Sequence, residues 1–191
     1  MEIQSAFRFF PCLLALGFSL PAGAPSTPPL RASAAIELRL NAPADAAFPL
    51  FGPVRESEWA PTWSPQWIYP PEPRQSPDGA VFTTASPIGL STWVMTLYDP
   101  ENRIVEYVNF MPGHRVTQIS IIVRPETAAT SIARVSYRVT ALSSEDAATV
   151  AHFEKEFPDE APHWQNAVNA AISRANSSPD SKSGVITVKP N

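Results

Sequence analysis

The sequence "RIVEYVNFMPGHRVTQISIIVR" at positions 103–124 contains two runs rich in β-branched and aromatic residues, separated by a short turn. The runs 103–111 and 115–124 are predicted to be strands, and "PGH" between them consists of residue types typical of tight turns. A connection this short joins antiparallel neighbours, because a parallel crossover needs a dozen or more residues. The stretch therefore predicts an antiparallel hairpin.

The same pattern continues on both sides of this hairpin. Further strands are predicted at 80–86, 91–99 and 131–142, connected by short segments such as "PIGL", "PEN" and "PETAAT". "AAIELRL" at 34–40 alternates apolar and charged residues and is predicted to be a first strand with one buried face. The result is an antiparallel sheet of about six strands, in which the inward face of 103–111 stays undecided.

One face of this sheet needs a cover, and the C-terminal third of the chain provides it. In the last predicted strand Tyr137 and its apolar neighbours alternate with Arg134 and Arg138, so one face contacts solvent. Apolar residues then recur at helical spacing from Val150 to Phe157 and again from Trp164 to Ile172. An antiparallel sheet wrapped around a long C-terminal helix is an α+β architecture.

Between the first strand and the five predicted strands that begin at residue 80, the sequence predicts little regular structure. "NAPADAAFPLF" (41–51) is predicted to be a short helix limited by Pro49. "EWAPTWSPQWIYPP" (58–71) places tryptophans at every fourth position, but its prolines forbid a regular helix. We expect its large aromatic side chains to fasten an irregular segment by burial.

The two ends of the chain are expected to lie outside the domain. Residues 1–24 resemble a secretory signal peptide, which implies export to the periplasm or medium, and 25–34 are predicted to be a flexible linker. The alternative is an N-terminal extension from an upstream start, which implies a cytoplasmic protein. Neither interpretation needs a stable membrane span, since the apolar run is shorter than roughly 20 residues. The domain is predicted at 35–175, followed by a mobile tail at 176–191.

Composition and charge exclude several classes of function. The formal net charge is −4 and no Lys/Arg cluster occurs, which argues against nucleic acid as a partner. The single Cys12 cannot form an internal disulfide. The histidines, His114, His152 and His163, lack metal-site spacing and are assigned to a turn, a helix surface and a helix start. We therefore expect no metal and no cofactor, and the sequence carries no signal for an oligomeric state.

The element order and several short stretches resemble a known superfamily. "PVRESEWAPTWSPQWIYP" (53–70) is similar to a P-x-x-E-x-x-W-x-P-x-W stretch of small bacterial START-like proteins, and "STWVM", "VNFMPGHRV", "VSYRVTAL" and "HWQNAV" also match. Over residues 35–175 the chain resembles the helix-grip, START-like proteins of the SRPBCC superfamily, which include polyketide cyclase/dehydrase-like and lipid-transport-like members. The resemblance implies a cavity between sheet and C-terminal helix that binds lipids, polyketides, hormones or aromatic compounds. Some members are enzymes and many only bind, and no catalytic motif transfers to this chain.

The predicted function is therefore the binding of a hydrophobic small molecule between sheet and helix. Aromatic and apolar side chains would form the wall of such a pocket. The candidate ligand-binding residues are Trp59, Trp63, Trp67, Tyr69, Trp93, Met95, Tyr137, Trp164 and Val168.

Two alternatives remain at this point. The first is an enzyme of polyketide cyclase/dehydrase type that uses the same cavity, with Glu56 or Glu58 as acid/base. Against it stands a purely structural role for Glu56, which would accept backbone N–H groups or pair with Arg55. The second is a scaffold with a solid core and no cavity.

Overall fold

The computed structural model describes residues 30–72 and 78–177. The predicted signal peptide, residues 25–29 of the predicted linker and the tail after residue 177 lie outside the described residues. The first strand begins at Arg31, so residues 31–34 of the predicted linker belong to the sheet.

Seven strands and two longer helices follow one another with short 3-10 turns between them. The strands are β1 (Arg31–Leu40), β2 (Gln66–Tyr69), β3 (Val81–Ser86), β4 (Gly89–Asp99), β5 (Ile104–Met111), β6 (Arg115–Pro125) and β7 (Ser131–Ala141). The helices are α1 (Ala44–Ala47), α2 (Ser144–Glu156) and α3 (Ala161–Ser177), with 3-10 turns at Phe48–Phe51, Glu56–Glu58 and Phe157–Glu160.

The strands form one antiparallel sheet in the order β1-β7-β6-β5-β4-β3-β2. The α+β helix-grip prediction is confirmed, but the strand number is seven and not about six. The additional strand is β2, which lies in the segment predicted to be an irregular loop and pairs with β3. The four residues of β2 contain no proline, so their N–H groups are free to pair at the sheet edge between Pro65 and Pro70.

The two predicted helical stripes form two helices, and the second of them is the long C-terminal helix. α2 ends at Glu156, the 3-10 turn Phe157–Glu160 follows, and α3 continues to Ser177. Pro158 lies in that turn, where a helix tolerates proline because the first N–H groups have no intrahelical acceptor. The break allows both helices to follow the curved sheet. No helix among the described residues is long and apolar enough to cross a membrane.

Polar side chains of both helices hydrogen-bond to the backbone of the edge strand β1. Glu154 accepts the Ser33 N–H at 2.9 Å, and Gln165 accepts the Arg39 N–H at 2.8 Å. Asn169 accepts the Asn41 N–H at 2.8 Å and donates to the Arg39 carbonyl at 2.9 Å. These bonds satisfy backbone groups that an edge strand otherwise leaves open, and they fix the helices against the sheet.

The strand β5 turns one set of side chains inward, which resolves the face that the sequence leaves undecided. Val105, Tyr107, Asn109 and Met111 are buried, while the alternate residues face outward. A polar residue, Asn109, is therefore on the covered face of the sheet.

The segment 53–69 is fastened by its aromatic side chains, as the sequence predicts. The indole N–H of Trp59 donates to the Leu50 carbonyl at 2.7 Å, and that of Trp63 donates to the Pro53 carbonyl at 2.8 Å. Trp63 packs edge-on against Trp93 with the ring centroids 5.2 Å apart. The segment thereby covers the β3–β4 end of the sheet, opposite the end that the helices cover.

Candidate ligand-binding cavity

A cavity of about 260 Å³ lies between the inner face of strands β4–β7 and helix α2. It is called the inner cavity below. The residues that line it are Trp93, Asn109, Arg115, Thr117, Ile119, Tyr137, Val139, Thr149, Val150 and Phe153.

The sheet forms the floor of the inner cavity through strand register. Trp93 pairs with Asn109, Asn109 with Thr117, and Thr117 with Val139, so these four residues form one row across β4, β5, β6 and β7. Because paired residues project to the same side of an antiparallel sheet, their side chains are neighbours. The row places two polar residues between an indole and an aliphatic side chain.

Helix α2 forms the roof. Val150 and Phe153 are three residues apart, so they project from the same side of the helix toward the sheet. Phe153 lies near Tyr137, with the ring centroids 6.0 Å apart. Ser143 fixes the start of this helix by accepting the Asp146 N–H at 3.1 Å.

Three polar side chains in the inner cavity have no hydrogen-bond partner among the described residues. The amide nitrogen of Asn109 is fully enclosed and unpaired. The hydroxyls of Thr117 and Tyr137 also make no hydrogen bond within residues 30–72 and 78–177. Buried polar groups are normally paired, so their concentration around one cavity indicates a place for polar atoms from outside the chain.

A small charged cluster lies at one end of the inner cavity. Arg115, whose side chain is 28% exposed, lines the cavity and lies 3.9 Å from the carboxylate of the buried Asp146. His114 approaches the same carboxylate at 3.5 Å through Nδ1. His114 is therefore partly buried against α2 and not simply an exposed turn residue.

Glu56 and Glu58, the two candidate acid/base residues, occupy opposite environments. Glu58 accepts two hydrogen bonds from Arg55, at 2.7 and 2.9 Å, and these bonds lower its pKa. Glu56 makes no side-chain hydrogen bond to any described residue, and burial raises its pKa to about 8. Arg55 therefore pairs with Glu58, and the pairing with Glu56 considered from the sequence does not occur.

The charge of Glu56 acts on Tyr137, a residue of the inner cavity. Residue 56 is partly exposed, and its carboxyl lies close enough to the protein interior for burial to raise its pKa. Burial, and then the charge of Glu56, raises the pKa of both Tyr107 and Tyr137. Glu56 does not line the inner cavity, but its charge acts on Tyr137, which does.

The sequence-predicted aromatic residues divide into those at the inner cavity and those that support it. Trp93 and Tyr137 line it. Trp164 packs edge-on against Tyr137 with the centroids 6.3 Å apart, and Trp63 packs against Trp93. Trp164 and Trp63 therefore do not line the cavity but pack against two residues that do.

The remaining candidates lie away from the inner cavity. Trp59, Met95 and Val168 are buried in the hydrophobic core, and Trp67 packs against Phe82 at 5.0 Å. Tyr69 is 62% exposed on the edge strand β2.

Sequence reasoning missed the polar floor and the roof of the inner cavity. Asn109 and Thr117 are on the cavity floor because of the strand register, which determines which side chains of β5 and β6 point inward. The sequence of β5 is compatible with either orientation almost equally well. The Val150/Phe153 pair was visible as a helical stripe, but its position over the cavity depends on where α2 meets the sheet.

A larger hollow of about 450 Å³ lies mainly on the outer face of the sheet. Charged and polar side chains surround it, among them Glu106, Arg134 and Arg138, and Glu106 accepts a hydrogen bond from Ser120 at 3.2 Å. An apolar ligand there would remove water from charges without replacing it, which is costly. The smaller inner cavity is therefore the better candidate site. Within the described ranges, no group of His, Cys, Asp and Glu is arranged to hold a metal ion.

Comparison with known proteins identifies the architecture. No protein-family model matches the chain, and no curated protein matches it. Among solved structures, norcoclaurine synthase from Thalictrum flavum, in complex with dopamine and hydroxybenzaldehyde, has a TM-score of 0.59 and 14% identity, covering 78% of this chain and 91% of that one. The fold is START-like.

Two further structures support this assignment of the START-like fold. The Zhui aromatase/cyclase from a Streptomyces species has a TM-score of 0.56 and 16% identity, covering 78% of this chain and 98% of that one. A START superfamily protein from Mycobacterium smegmatis has a TM-score of 0.52 and 10% identity, covering 75% and 98%. Identities this low establish the fold and not the activity.

The pKa of Glu56 predicts how stability depends on pH. Its pKa is about 8 in the folded protein against an ordinary value of 4.5, so between these values the folded state binds more protons than the unfolded state. The free energy of unfolding should therefore fall as pH rises across this interval, by a few kcal/mol at about 1.4 kcal/mol per pH unit. Glu56→Gln should remove this fall, as measured by urea denaturation at a series of pH values.

Glu58→Gln is the matched control. The pKa of Glu58 is lowered, so its contribution to stability is lost only as pH falls through its folded pKa, below the interval used here. Parallel pH profiles for the wild type and Glu56→Gln would show that the pKa of Glu56 is not raised by folding.

Proposed function

We propose that the protein binds a small, mainly aromatic compound in the inner cavity. The observation that carries this proposal is an unfilled space of about 260 Å³ with walls of Trp93, Tyr137, Phe153 and aliphatic side chains. Small-molecule sites combine such apolar walls with a few polar groups, here Asn109, Thr117 and Arg115. A scaffold with a solid core would not leave this space.

The size of the inner cavity favours a compact ligand over a long lipid. An apolar cavity of roughly 150 Å³ in another protein is large enough to hold benzene. A space of about 260 Å³ therefore suits a compound of one or two rings. The full hydrocarbon chain of a membrane lipid would need a larger space, with typical ligand sites reaching roughly 1,000 Å³.

Binding can be tested by closing the inner cavity from its roof. Thr149 lines the cavity on an exposed position of α2, so Thr149→Trp should fill the entrance without disturbing the packed core. We expect naphthalene to bind the wild-type protein and to lose most of its affinity for Thr149→Trp, as measured by the change in tryptophan fluorescence and by calorimetry.

Ala148→Trp provides the control, since Ala148 is the exposed neighbour in the same helix and does not line the inner cavity. This variant should bind naphthalene as the wild type does. Equal binding by Thr149→Trp and Ala148→Trp would place the probe elsewhere, and absence of binding to the wild type would reject the proposal.

A second candidate function is catalysis by Glu56 as a general base. The observation that favours it is a carboxyl with a pKa of about 8 and no side-chain partner in the described part of the chain. Because Glu56 does not line the inner cavity, the substrate of this reaction would have to extend beyond it to reach the carboxyl. A base whose pKa lies near the working pH is well suited to remove a proton from a carbon next to a carbonyl, a step used in cyclisation, dehydration and isomerisation.

This catalytic candidate predicts a proton-exchange activity with a defined pH profile. The protein should accelerate exchange of the α-protons of 2-tetralone in D₂O, with a rate that rises through a pKa near 8 as the carboxylate of Glu56 forms. NMR measures the exchange directly. Glu56→Gln should lose the acceleration and Glu58→Gln should keep it; acceleration that survives Glu56→Gln would exclude this role.

A further inference from the structure

The apolar walls of the inner cavity cannot by themselves provide tight binding. The gain from burying one or two aromatic rings is largely offset by the translational and rotational freedom lost on association. Affinity and specificity therefore depend on the polar groups of the cavity. Their positions bear on the chemical class of the ligand.

Asn109 and Thr117 form a polar pair at the centre of the floor. They are direct cross-strand partners, and their exposed fractions are only 7% and 6%. Neither side chain has a hydrogen-bond partner in the described part of the chain, and both border the empty space. The amide nitrogen of Asn109 is closed off even from the cavity, so a ligand gains a hydrogen bond from it only when the amide turns toward the cavity.

The positive charge of Arg115 favours a negatively charged group on the ligand. Arg115 lines the same cavity and forms an ion pair with the buried carboxylate of Asp146, 3.9 Å from its guanidinium, but it makes no hydrogen bond to a described residue. Asp146 itself does not line the cavity, and His114 approaches it on another side. The cavity therefore presents a cation and the hydroxyl of Thr117, and the amide of Asn109 beside them becomes a donor to a ligand when it turns toward the cavity.

From this arrangement we infer that the ligand is an aromatic acid, with its ring between Trp93, Tyr137 and Phe153 and its carboxylate at Asn109, Thr117 and Arg115. The inference rests on the proposed function, because it assigns a ligand class to the same inner cavity. Planar guanidinium groups bind carboxylates well, and hydrogen bonds to a charged group are the stronger ones.

Three probes with the same ring system separate this inference from the proposed function. They are 2-naphthoate, 2-methylnaphthalene and 2-naphthylmethylammonium, which carry a negative, a neutral and a positive substituent. The wild-type protein should bind 2-naphthoate at least about tenfold more tightly than 2-methylnaphthalene, and the ammonium compound most weakly. Calorimetry at pH 7 measures all three dissociation constants.

Variants of the floor test where the carboxylate binds. Asn109→Leu and the isosteric Thr117→Val should each reduce affinity for 2-naphthoate about tenfold, while affinity for 2-methylnaphthalene stays equal or improves. Thr140→Val makes the same change on the outer face of β7 and should alter neither affinity. Using two floor variants keeps the test valid if one of them folds poorly.

Each outcome distinguishes the two claims. Equal affinity for 2-naphthoate and 2-methylnaphthalene, or a preference that survives both floor variants, would overturn the aromatic-acid inference and leave the proposed function standing. No binding of any probe to the wild-type protein would overturn both.

Discussion

Hydrogen bonds from the two C-terminal helices to the edge strand β1 determine where the helices lie on the covered face of the sheet. Glu154, Gln165 and Asn169 reach from α2 and α3 to backbone groups of the edge strand and its continuation, at 2.8–2.9 Å. Backbone groups at a sheet edge must find partners, so these bonds fix the helices over the β1–β7 side. The aromatic segment before β3 covers the other side through Trp63 and its contacts with Phe82 and Trp93. The space between the two covers is the inner cavity.

This arrangement explains why polar residues are on the covered face. A row of side chains crosses the sheet from Trp93 through Asn109 and Thr117 to Val139, and its two polar members lie beneath the gap. In a packed core such residues would be a net cost, because unpaired amides and hydroxyls lose their bonds to water. They are consistent with an interior that receives polar atoms from a ligand. The charge of Glu56, whose pKa is raised to about 8, also raises the pKa of Tyr137 in the cavity wall.

The sequence was sufficient to predict the architecture and insufficient to predict the site. Alternating apolar and polar residues with short turns predict the antiparallel sheet, and apolar residues at helical spacing predict the helices that cover it. Both patterns depend only on neighbours along the chain. The strand β2 was missed because prolines on both sides obscured four residues that are able to pair. The aromatic pattern of the sequence predicts Trp93 and Tyr137 as ligand-binding residues, and both line the cavity. It does not predict Asn109, Thr117 and Arg115, which also line it. Their role depends on which face of β5 turns inward and where α2 meets the sheet, and neither is encoded locally.

The central claim is that the inner cavity of this START-like fold holds a small molecule. Native mass spectrometry of the full chain, purified from its own host without denaturation, tests it most directly. The account predicts a bound species of one or two aromatic rings that dissociates on gentle activation and is absent from Thr149→Trp purified in the same way. A bound species that remains in Thr149→Trp, or ligand-free protein that also fails to take up any compound from a panel of small aromatic molecules, would contradict it.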